Sequence, residues 1–261
     1  MLLQRVLTGL VLIPVVVLSI WLGPPWFTLI VGAGAVVGCW EFYRLAAIPC
    51  TLLPLGATLS LALALSPLTG FPHTLDILLT STVLLTLTGA LVRHRTGGLG
   101  GWGALMGGPL YTGYLLGLWL ALRMQADGRD WVLFGLIVVF VSDTAAYFLG
   151  RLWGRRKLAP SISPGKTWVG TVGGLVAAGT AAALLSPLTP LTAVAAVILG
   201  LLLSLAGQIG DLAESYLKRS SGAKDASGLL PGHGGLLDRM DSIVFAGALL
   251  YHYVVWIVPF L

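Results

Sequence analysis

The chain has 261 residues, of which 57% are hydrophobic and only 10% are charged, and its mean hydropathy is +0.93. A water-soluble protein with so apolar a surface would aggregate, so the composition excludes a soluble enzyme and indicates a polytopic integral membrane protein. The formal net charge of +5 fits membrane topology better than nucleic-acid binding, because the basic residues fall between apolar segments. The isolated cysteines Cys39 and Cys50 exclude a disulfide framework.

Nine apolar segments follow one another along the chain and predict an all-α fold of about nine transmembrane helices. Most of them approach or exceed the roughly 18 residues that cross a bilayer as a helix. The first segment has the basic start of a signal peptide, but it leads directly into further apolar segments and is interpreted as a retained span. The predicted spans are Val6–Leu22, Trp26–Trp40, Thr51–Ser66, Leu75–Val92, Trp102–Leu122, Trp131–Leu149, Val169–Ser186, Leu191–Ile209 and Ser242–Phe260.

The basic residues predict the orientation of these spans, because cytoplasmic loops are enriched in Lys and Arg. If the N-terminus lies in the cytoplasm, every Lys and Arg except Arg123 and Arg129 falls on the cytoplasmic side. We therefore predict a cytoplasmic N-terminus and two long cytoplasmic loops, residues 150–168 and 210–241. Residues 1–92 are predicted to form an N-terminal packing unit of transmembrane helices, and residues 93–261 the catalytic region.

Gly210–Asp241 is a charged island between apolar segments. It holds five of the ten acidic residues and four of the fifteen Lys and Arg residues. Charge next to lipid is costly and usually marks a functional site. If the eighth span continues as a helix past Gly210, the positions i, i+3, i+4 and i+7 share one of its faces. These positions are occupied by Asp211, Glu214, Ser215 and Lys218.

Four carboxylates are predicted to face the cytoplasm together, one from inside the sixth span and three from the island. They are Asp143, Asp211, Asp238 and Asp241. Several carboxylates without His or Cys partners favour a hard, oxygen-preferring cation such as Mg²⁺. Two alternatives stay open: ion pairs with neighbouring basic residues, such as Asp238 with Arg239, and a structural hydrogen bond for Asp143.

Basic residues and glycines in the island point to phosphate binding. The basic residues alternate with acids, unlike a run that simply binds lipid headgroups; they are Lys218, Arg219, Lys224 and Arg239. Gly232-His233-Gly234-Gly235 can offer backbone N–H groups as an anion nest before a helix N-terminus. Carboxylates, basic residues and a Gly-rich turn together are what a nucleoside-triphosphate site requires.

The loop at residues 150–168 adds further candidates for phosphate contacts, namely Ser163, Lys166 and Thr167. The Gly-Lys-Thr sequence is not a Walker A motif, because Pro160 stands where that motif needs glycine. A lysine that merely anchors the membrane interface remains the alternative for Lys166. Trp40-Glu41-Phe42-Tyr43-Arg44 is interpreted as a membrane-boundary motif in which Glu41 and Arg44 can pair.

The run from Ser215 to Asp241 resembles the signature of the phosphatidate cytidylyltransferases, also called CDP-diacylglycerol synthases. The signature places Lys-Arg, Lys-Asp, His-Gly-Gly and Asp-Arg at fixed spacings, and this chain fills it without a gap. The matching residues are Ser215, Lys218, Arg219, Lys224, Asp225, Ser227, Leu230, Pro231, His233, Gly234, Gly235, Asp238, Arg239 and Asp241. The segments Ser163–Trp168 and Ser142–Thr144 also look like parts of this family.

The resemblance implies transfer of CMP from CTP to phosphatidate, giving CDP-diacylglycerol and pyrophosphate. It implies one or two Mg²⁺ ions, with an additional monovalent cation left open. The implied partners are CTP, phosphatidate and the bilayer, without nucleic acid, and a homodimer is left open. The implied location is the bacterial cytoplasmic membrane, with the active site facing the cytoplasm. The alternatives are a CTP-dependent lipid kinase of the polyprenol or phytol type and, in a different class, a membrane transporter.

The resemblance also assigns expected roles to individual residues. The expected metal ligands are Asp211, Asp238 and Asp143. The expected catalytic residues are Asp211, Asp238, Lys218 and Asp241. The expected substrate contacts are Ser163, Lys166, Thr167, Ser215, Arg219, Lys224, His233, Gly234, Gly235 and Arg239.

Overall fold

The computed structural model describes residues 2–93, 98–230, 232 and 234–260. This part of the chain contains ten α-helices and one two-stranded hairpin. The helices are α1 (Leu2–Leu22), α2 (Pro24–Leu45), α3 (Leu53–Leu65), α4 (Thr74–Arg93), α5 (Gly98–Gly108), α6 (Leu115–Arg123), α7 (Gly128–Trp153), α8 (Trp168–Leu185), α9 (Ala193–Ser220) and α10 (Leu237–Trp256). The strands are β1 (Lys157–Ala159) and β2 (Ser163–Thr167).

The predicted all-α membrane fold is confirmed. Within the described residues, eight helical segments are long and apolar enough to cross a bilayer. They correspond to the second through ninth predicted spans. The first predicted span coincides with α1, whose apolar part with described side chains, Leu10–Leu22, is shorter than the others.

The fifth span, Gly98–Arg123, is not a single regular α-helix. A π-helical turn, Pro109–Tyr114, separates α5 from α6. Proline has no N–H to donate within a helix, and such a wider turn accommodates the interruption. In this turn the backbone approaches α3 so closely that a Cβ at Gly113 would lie 2.5 Å from the Ser60 carbonyl oxygen. Glycine is therefore required at this helix contact.

The structure divides into two compact units. Unit 1 comprises Met1–Met124 and Ser221–Arg239, and unit 2 comprises Gln125–Ser220 and Met240–Leu261. The core of unit 1 includes Tyr43, whose hydroxyl donates to the Leu105 carbonyl oxygen at 2.6 Å. This hydrogen bond satisfies a polar group that would otherwise be costly in apolar surroundings.

Unit 2 packs α7 against α8 and α8 against α9 through small residues. A Cβ at Gly170 would lie 2.5 Å from the Ala146 carbonyl oxygen, so α7 and α8 meet almost backbone to backbone. The buried hydroxyls of Ser142 on α7 and Ser204 on α9 are 2.7 Å apart and hydrogen-bond to each other. These contacts hold together the helices that carry Asp143 and Asp211, α7 and α9.

The β-hairpin lies within the segment that the sequence predicted only as a loop, residues 150–168. Its strands pair antiparallel, and β2 leads directly into α8. The Thr167 hydroxyl accepts a hydrogen bond from the Gly170 N–H at 3.2 Å and so forms the N-cap of α8. The hairpin gives Lys166 a defined position in a short strand.

Candidate active site

Four acidic side chains of unit 2, which we call the carboxylate cluster, interact with one another and with two lysines. The cluster consists of Asp143 on α7, Asp211 and Glu214 on α9, and Asp241 on α10. The lysines are Lys166 on β2 and Lys218 on α9.

Helix α9 continues past Gly210 to Ser220, which confirms the predicted shared face. The Lys218 ammonium lies 3.1 Å from Glu214 Oε2, one helical turn away. The Ser215 hydroxyl donates to Asp211 Oδ1 at 3.4 Å. Glu214 is fully buried, so its charge depends on this local partnership.

The hairpin brings Lys166 onto the same face. Its Nζ lies 2.8 Å from Asp211 Oδ2 and donates to the Gln208 carbonyl oxygen at 3.2 Å. Both partners in the ion pair are only partly buried. One oxygen of Asp211 is therefore engaged in an ion pair, which was the alternative to metal binding. The contacts with Asp211 and Gln208 explain the position of Lys166 without a role as an anchor at the membrane interface.

Asp143 and Asp241 add two further carboxyl groups to the cluster. Asp143 lies close to the Ser242 side chain and interacts electrostatically with Asp211, Asp241 and Lys166. Asp241 accepts a hydrogen bond from the Ser242 N–H at 2.7 Å and lies next to Glu214. The cluster thus brings four carboxyl groups and two lysines together.

No group of three or more His, Cys, Asp or Glu side chains is arranged to hold a metal ion by itself, as far as the described ranges of the chain extend. The acids of the cluster are nevertheless all oxygen donors, the type that Mg²⁺ prefers. Lysine ammonium groups occupy one oxygen each of Asp211 and Glu214.

Residues 221–236 connect α9 to α10 and are called the 221–236 segment. In unit 1, Asp238 hydrogen-bonds to two places in this segment. Its Oδ2 accepts hydrogen bonds from the Ala226 N–H at 2.9 Å and the Gly235 N–H at 2.7 Å. Asp238 is in the first turn of α10, where a carboxylate also complements the helix dipole. Its predicted role as a metal ligand stays a prediction, beside this observed role in holding the segment.

Glu41 of α2 binds the same segment. Its Oε1 accepts from the Ser227 hydroxyl at 2.5 Å and the Leu236 N–H at 3.0 Å, and its Oε2 accepts from the Leu237 N–H at 2.6 Å. The predicted pairing of Glu41 with Arg44 is wrong, because the ion pairs among the described residues do not include it and the carboxylate binds these three donors instead. The Arg44 guanidinium instead lies 5.8 Å from the centre of the Trp40 ring.

These contacts account for one N–H group of the predicted anion nest. The Gly235 N–H donates to Asp238, and the N–H groups of Leu236 and Leu237, which follow the nest, donate to Glu41. The turn itself is glycine-dependent, since Gly234 has φ of 80°, a left-handed value that other residues adopt at a cost. Substrate contacts by Gly234 and Gly235 stay predictions.

The remaining predicted substrate contacts have different surroundings. Ser163 begins β2 and is partly buried, while Thr167 is buried as the N-cap of α8. Arg219 is exposed and its Nε donates to the Ile162 carbonyl oxygen at 3.4 Å. Lys224 and Arg239 are exposed in unit 1. His233 lies outside the described residues.

The sequence interpretation missed the part that Glu41 plays in unit 1. An acid inside an apolar span was the signal used for Asp143, and Glu41 gives the same signal within α2. The sequence interpretation paired Glu41 with the nearby Arg44 and therefore did not look for a distant partner. The true partners are 186 to 196 positions away in the sequence.

Comparison with known proteins identifies the family. A model described as the cytidylyltransferase family matches residues 3–257, which is nearly the whole chain. The chain belongs to this family. The resemblance seen in Ser215–Asp241 is thereby confirmed, and it extends to the N-terminal helices.

Relatives in the cytidylyltransferase family are similar over almost their full lengths. The phosphatidate cytidylyltransferase of Brucella melitensis biotype 1 is 39% identical over 95% of this chain and 91% of its own length. The proteins of the same name from Pseudomonas aeruginosa and Bacillus subtilis are 37% and 33% identical. These matches cover 94% and 95% of this chain and 94% and 96% of the relatives, respectively.

Proposed function

We propose that this chain is a phosphatidate cytidylyltransferase, which transfers CMP from CTP to phosphatidate in phospholipid biosynthesis. The observation that carries the proposal is the agreement of relatives with that name over more than nine-tenths of both chains. The signature Ser215–Asp241 and the acidic and basic side chains of unit 2 support it. The lipid-kinase and transporter alternatives are not favoured, because they leave this agreement unexplained.

The reaction exchanges one phosphoanhydride for another. A phosphate oxygen of phosphatidate forms a bond to the α-phosphorus of CTP, while the bond from that phosphorus to the bridging oxygen of the β-phosphate breaks. Pyrophosphate leaves with the bonding electrons. The attacking phosphate is already anionic near neutral pH, so the site has to position two anions and offset their repulsion more than it has to remove a proton.

Lys166 is proposed to hold a phosphate of the triphosphate. Its ammonium has three N–H donors, of which Asp211 and Gln208 take two. The third is proposed to reach a phosphate oxygen. Asp211 and the backbone of α9 thus orient the ammonium before substrate arrives, which avoids reorganisation during the reaction. Lys218, which pairs with Glu214 one turn earlier on α9, is proposed to bind the same triphosphate.

Mg²⁺ is proposed as the cofactor, with Asp211 and Asp143 as ligands. The oxygen donors of the carboxylate cluster fit this ion. Mg²⁺ is commonly held by one or two carboxylates together with substrate phosphates and water, so a preformed cage of three acids is not required. When bound, the ion would neutralise triphosphate charge and stabilise the leaving pyrophosphate.

The active site is proposed to face the cytoplasm from the bacterial inner membrane. The distribution of Lys and Arg supports this orientation. The substrates support it as well, because CTP is a soluble cytoplasmic nucleotide and phosphatidate remains in the leaflet.

The transfer is tested with purified protein, phosphatidate in detergent micelles and CTP labelled at the α-phosphorus. The expected result is label in the lipid product and unlabelled pyrophosphate. A parallel reaction with γ-labelled CTP should release the label as pyrophosphate. If the lipid instead receives only the γ-label, the protein is a lipid kinase and the proposal fails.

A further inference from the structure

Glu41 is a buried charge that is satisfied by distant parts of unit 1. Its side chain is fully buried within α2, in an apolar span. Within the described part of the chain, its three hydrogen-bond donors all belong to residues 227–237. A buried carboxylate without donors is strongly unfavourable, so burial of Glu41 and the conformation of this segment depend on each other.

Two carboxylates, those of Asp238 and Glu41, each bind the 221–236 segment both near residues 226–227 and near residues 235–236. Asp238 binds the N–H groups of Ala226 and Gly235, and Glu41 binds the adjoining Ser227 and Leu236. These contacts join the beginning of the turn to its end. The two carboxylates and their donors are called the carboxylate clasp.

Two further hydrogen bonds lie within the turn that these contacts join. The Leu230 N–H donates to the Gly234 carbonyl oxygen at 2.8 Å, and the Leu229 N–H donates to the Ser227 hydroxyl at 3.1 Å. A Cβ at Gly235 would lie 2.6 Å from a Glu41 carboxylate oxygen. The carboxylate therefore sits directly against the Gly-rich turn, with no room for a side chain between them.

We infer that Glu41 is a positioning residue for the transfer reaction, acting through the 221–236 segment. The inference rests on the proposed function, because this segment carries the predicted substrate contacts Lys224 and Gly234. Lys224 is exposed and can meet an anion, whereas Glu41 is buried and acts through the backbone that it holds. Fixing that backbone before substrate binds lowers the cost of ordering it during the reaction.

The test compares Glu41→Gln and Glu41→Asp with a matched control. Glutamine keeps the size of the side chain but removes its charge and replaces one acceptor oxygen with a donor. Aspartate keeps the charge with a shorter reach. Ser60→Ala is the control, since Ser60 is a buried polar residue of the same unit whose hydroxyl lies 3.4 Å from that of Thr112.

Two measurements are made on protein purified in detergent. The first is kcat and KM for CTP in the phosphatidate assay. The second is the rate at which trypsin cuts after the exposed Lys224, followed by mass spectrometry, which reports loosening of the segment without reference to activity. Glu41→Gln should lower kcat/KM by about 100-fold and accelerate the cut. Glu41→Asp should recover part of both, and Ser60→Ala should resemble the wild type.

A second variant keeps the inference testable if Glu41→Gln folds poorly. Ser227→Ala removes one donor to Glu41 and leaves the two backbone donors in place. Ser227→Ala should lower kcat/KM and accelerate the cut after Lys224, both to a smaller extent than Glu41→Gln. If both residues act through the same segment, the double variant should lose little more activity than Glu41→Gln alone.

The outcomes separate this inference from the proposed function. Glu41→Gln with kcat/KM within twofold of the wild type would overturn the inference. So would a large loss of activity with an unchanged rate of cutting after Lys224, or additive losses in the double variant. If the wild type fails to turn over CTP and phosphatidate but Glu41→Gln still accelerates the cut, the clasp stands and the proposed function falls.

Discussion

Lys166 and Asp211 form an ion pair between β2 and α9 that the sequence did not predict as a pair. Lys166 was expected to meet phosphate and Asp211 to bind metal, yet their side chains contact each other at 2.8 Å. The two interpretations are compatible, because an ammonium oriented by a carboxylate still offers a donor to an anion.

Replacing Asp211 with asparagine should lower kcat by on the order of 100-fold or more, as expected when one group of a preorganised electrostatic site is removed. The protein should still insert into the membrane, because Asp211 is partly exposed and its size is retained. Initial rates with labelled CTP, normalised to the amount of purified protein, check this. Asp76→Asn, an exposed acid in α4, is the control and should keep full activity. Normal turnover by Asp211→Asn would refute the roles proposed for it.

At the scale of single residues, the sequence predicted side chains whose partners are close in the chain. Asp211, Ser215 and Lys218 were placed on one face because helical periodicity fixes that face without knowledge of the fold. The partners of Glu41 could not be predicted in this way, since they lie 186 to 196 positions away, within the signature, and depend on how unit 1 folds. The Gly235 N–H is part of the predicted anion nest for a related reason: its acceptor, Asp238, is predicted to have another role, that of a metal ligand.

At the scale of helices and strands, the spans were predictable because lipid requires long apolar segments with internally satisfied backbone. The interruption of the fifth span was not predicted. The π-helical turn Pro109–Tyr114 depends on packing against α3 as well as on the proline, and hydropathy does not report packing. The hairpin β1–β2 was also missed, since its strands of three and five residues are too short for a periodic pattern.

Gly113 provides a test of the contact between this turn and α3. Gly113→Ala would place a Cβ 2.5 Å from the Ser60 carbonyl oxygen, so we expect a loss of about 1 to 3 kcal/mol in the free energy of unfolding. Thermal unfolding in detergent measures the difference. Gly103→Ala in α5 is the matched control, because a Cβ at Gly103 meets no atom within 4 Å. The control should be neutral or stabilising by up to about 1 kcal/mol. Equal effects of the two substitutions would contradict the close contact.

At the scale of the whole molecule, the predicted orientation can be tested with a native residue. Cys50 is exposed between α2 and α3, whereas Cys39 is buried. With the N-terminus in the cytoplasm and all nine predicted spans crossing, Cys50 faces the cytoplasm. A membrane-impermeant maleimide should therefore label it only after the cells are permeabilised. Ala126→Cys in a Cys50→Ser background, in the exposed turn before α7, should be labelled in intact cells. Labelling of Cys50 from outside would reverse the orientation.

The proposed dependence on Mg²⁺ is tested on the complete enzyme. Treatment with EDTA should reduce CTP and phosphatidate turnover to background, and excess Mg²⁺ should restore it, because the negative charge of the triphosphate has to be offset at a site lined by carboxyl groups. Thermal unfolding before and after EDTA serves as the control and should be similar, since the described acids form no three-ligand metal centre. Full turnover in metal-free buffer would contradict the proposed cofactor.

The position of Glu41 in the chain has a consequence for the order of synthesis. Ser227 is made 186 residues after Glu41, which at about 5 to 20 residues per second is a delay of roughly 10 to 40 s. Throughout that interval α2 exists without the donors that satisfy its carboxylate in the finished protein. Unit 1 also recruits Ser221–Arg239, which follows α7 to α9 in the chain. Unit 1 is thus completed only after α7, α8 and α9 of unit 2 have been made.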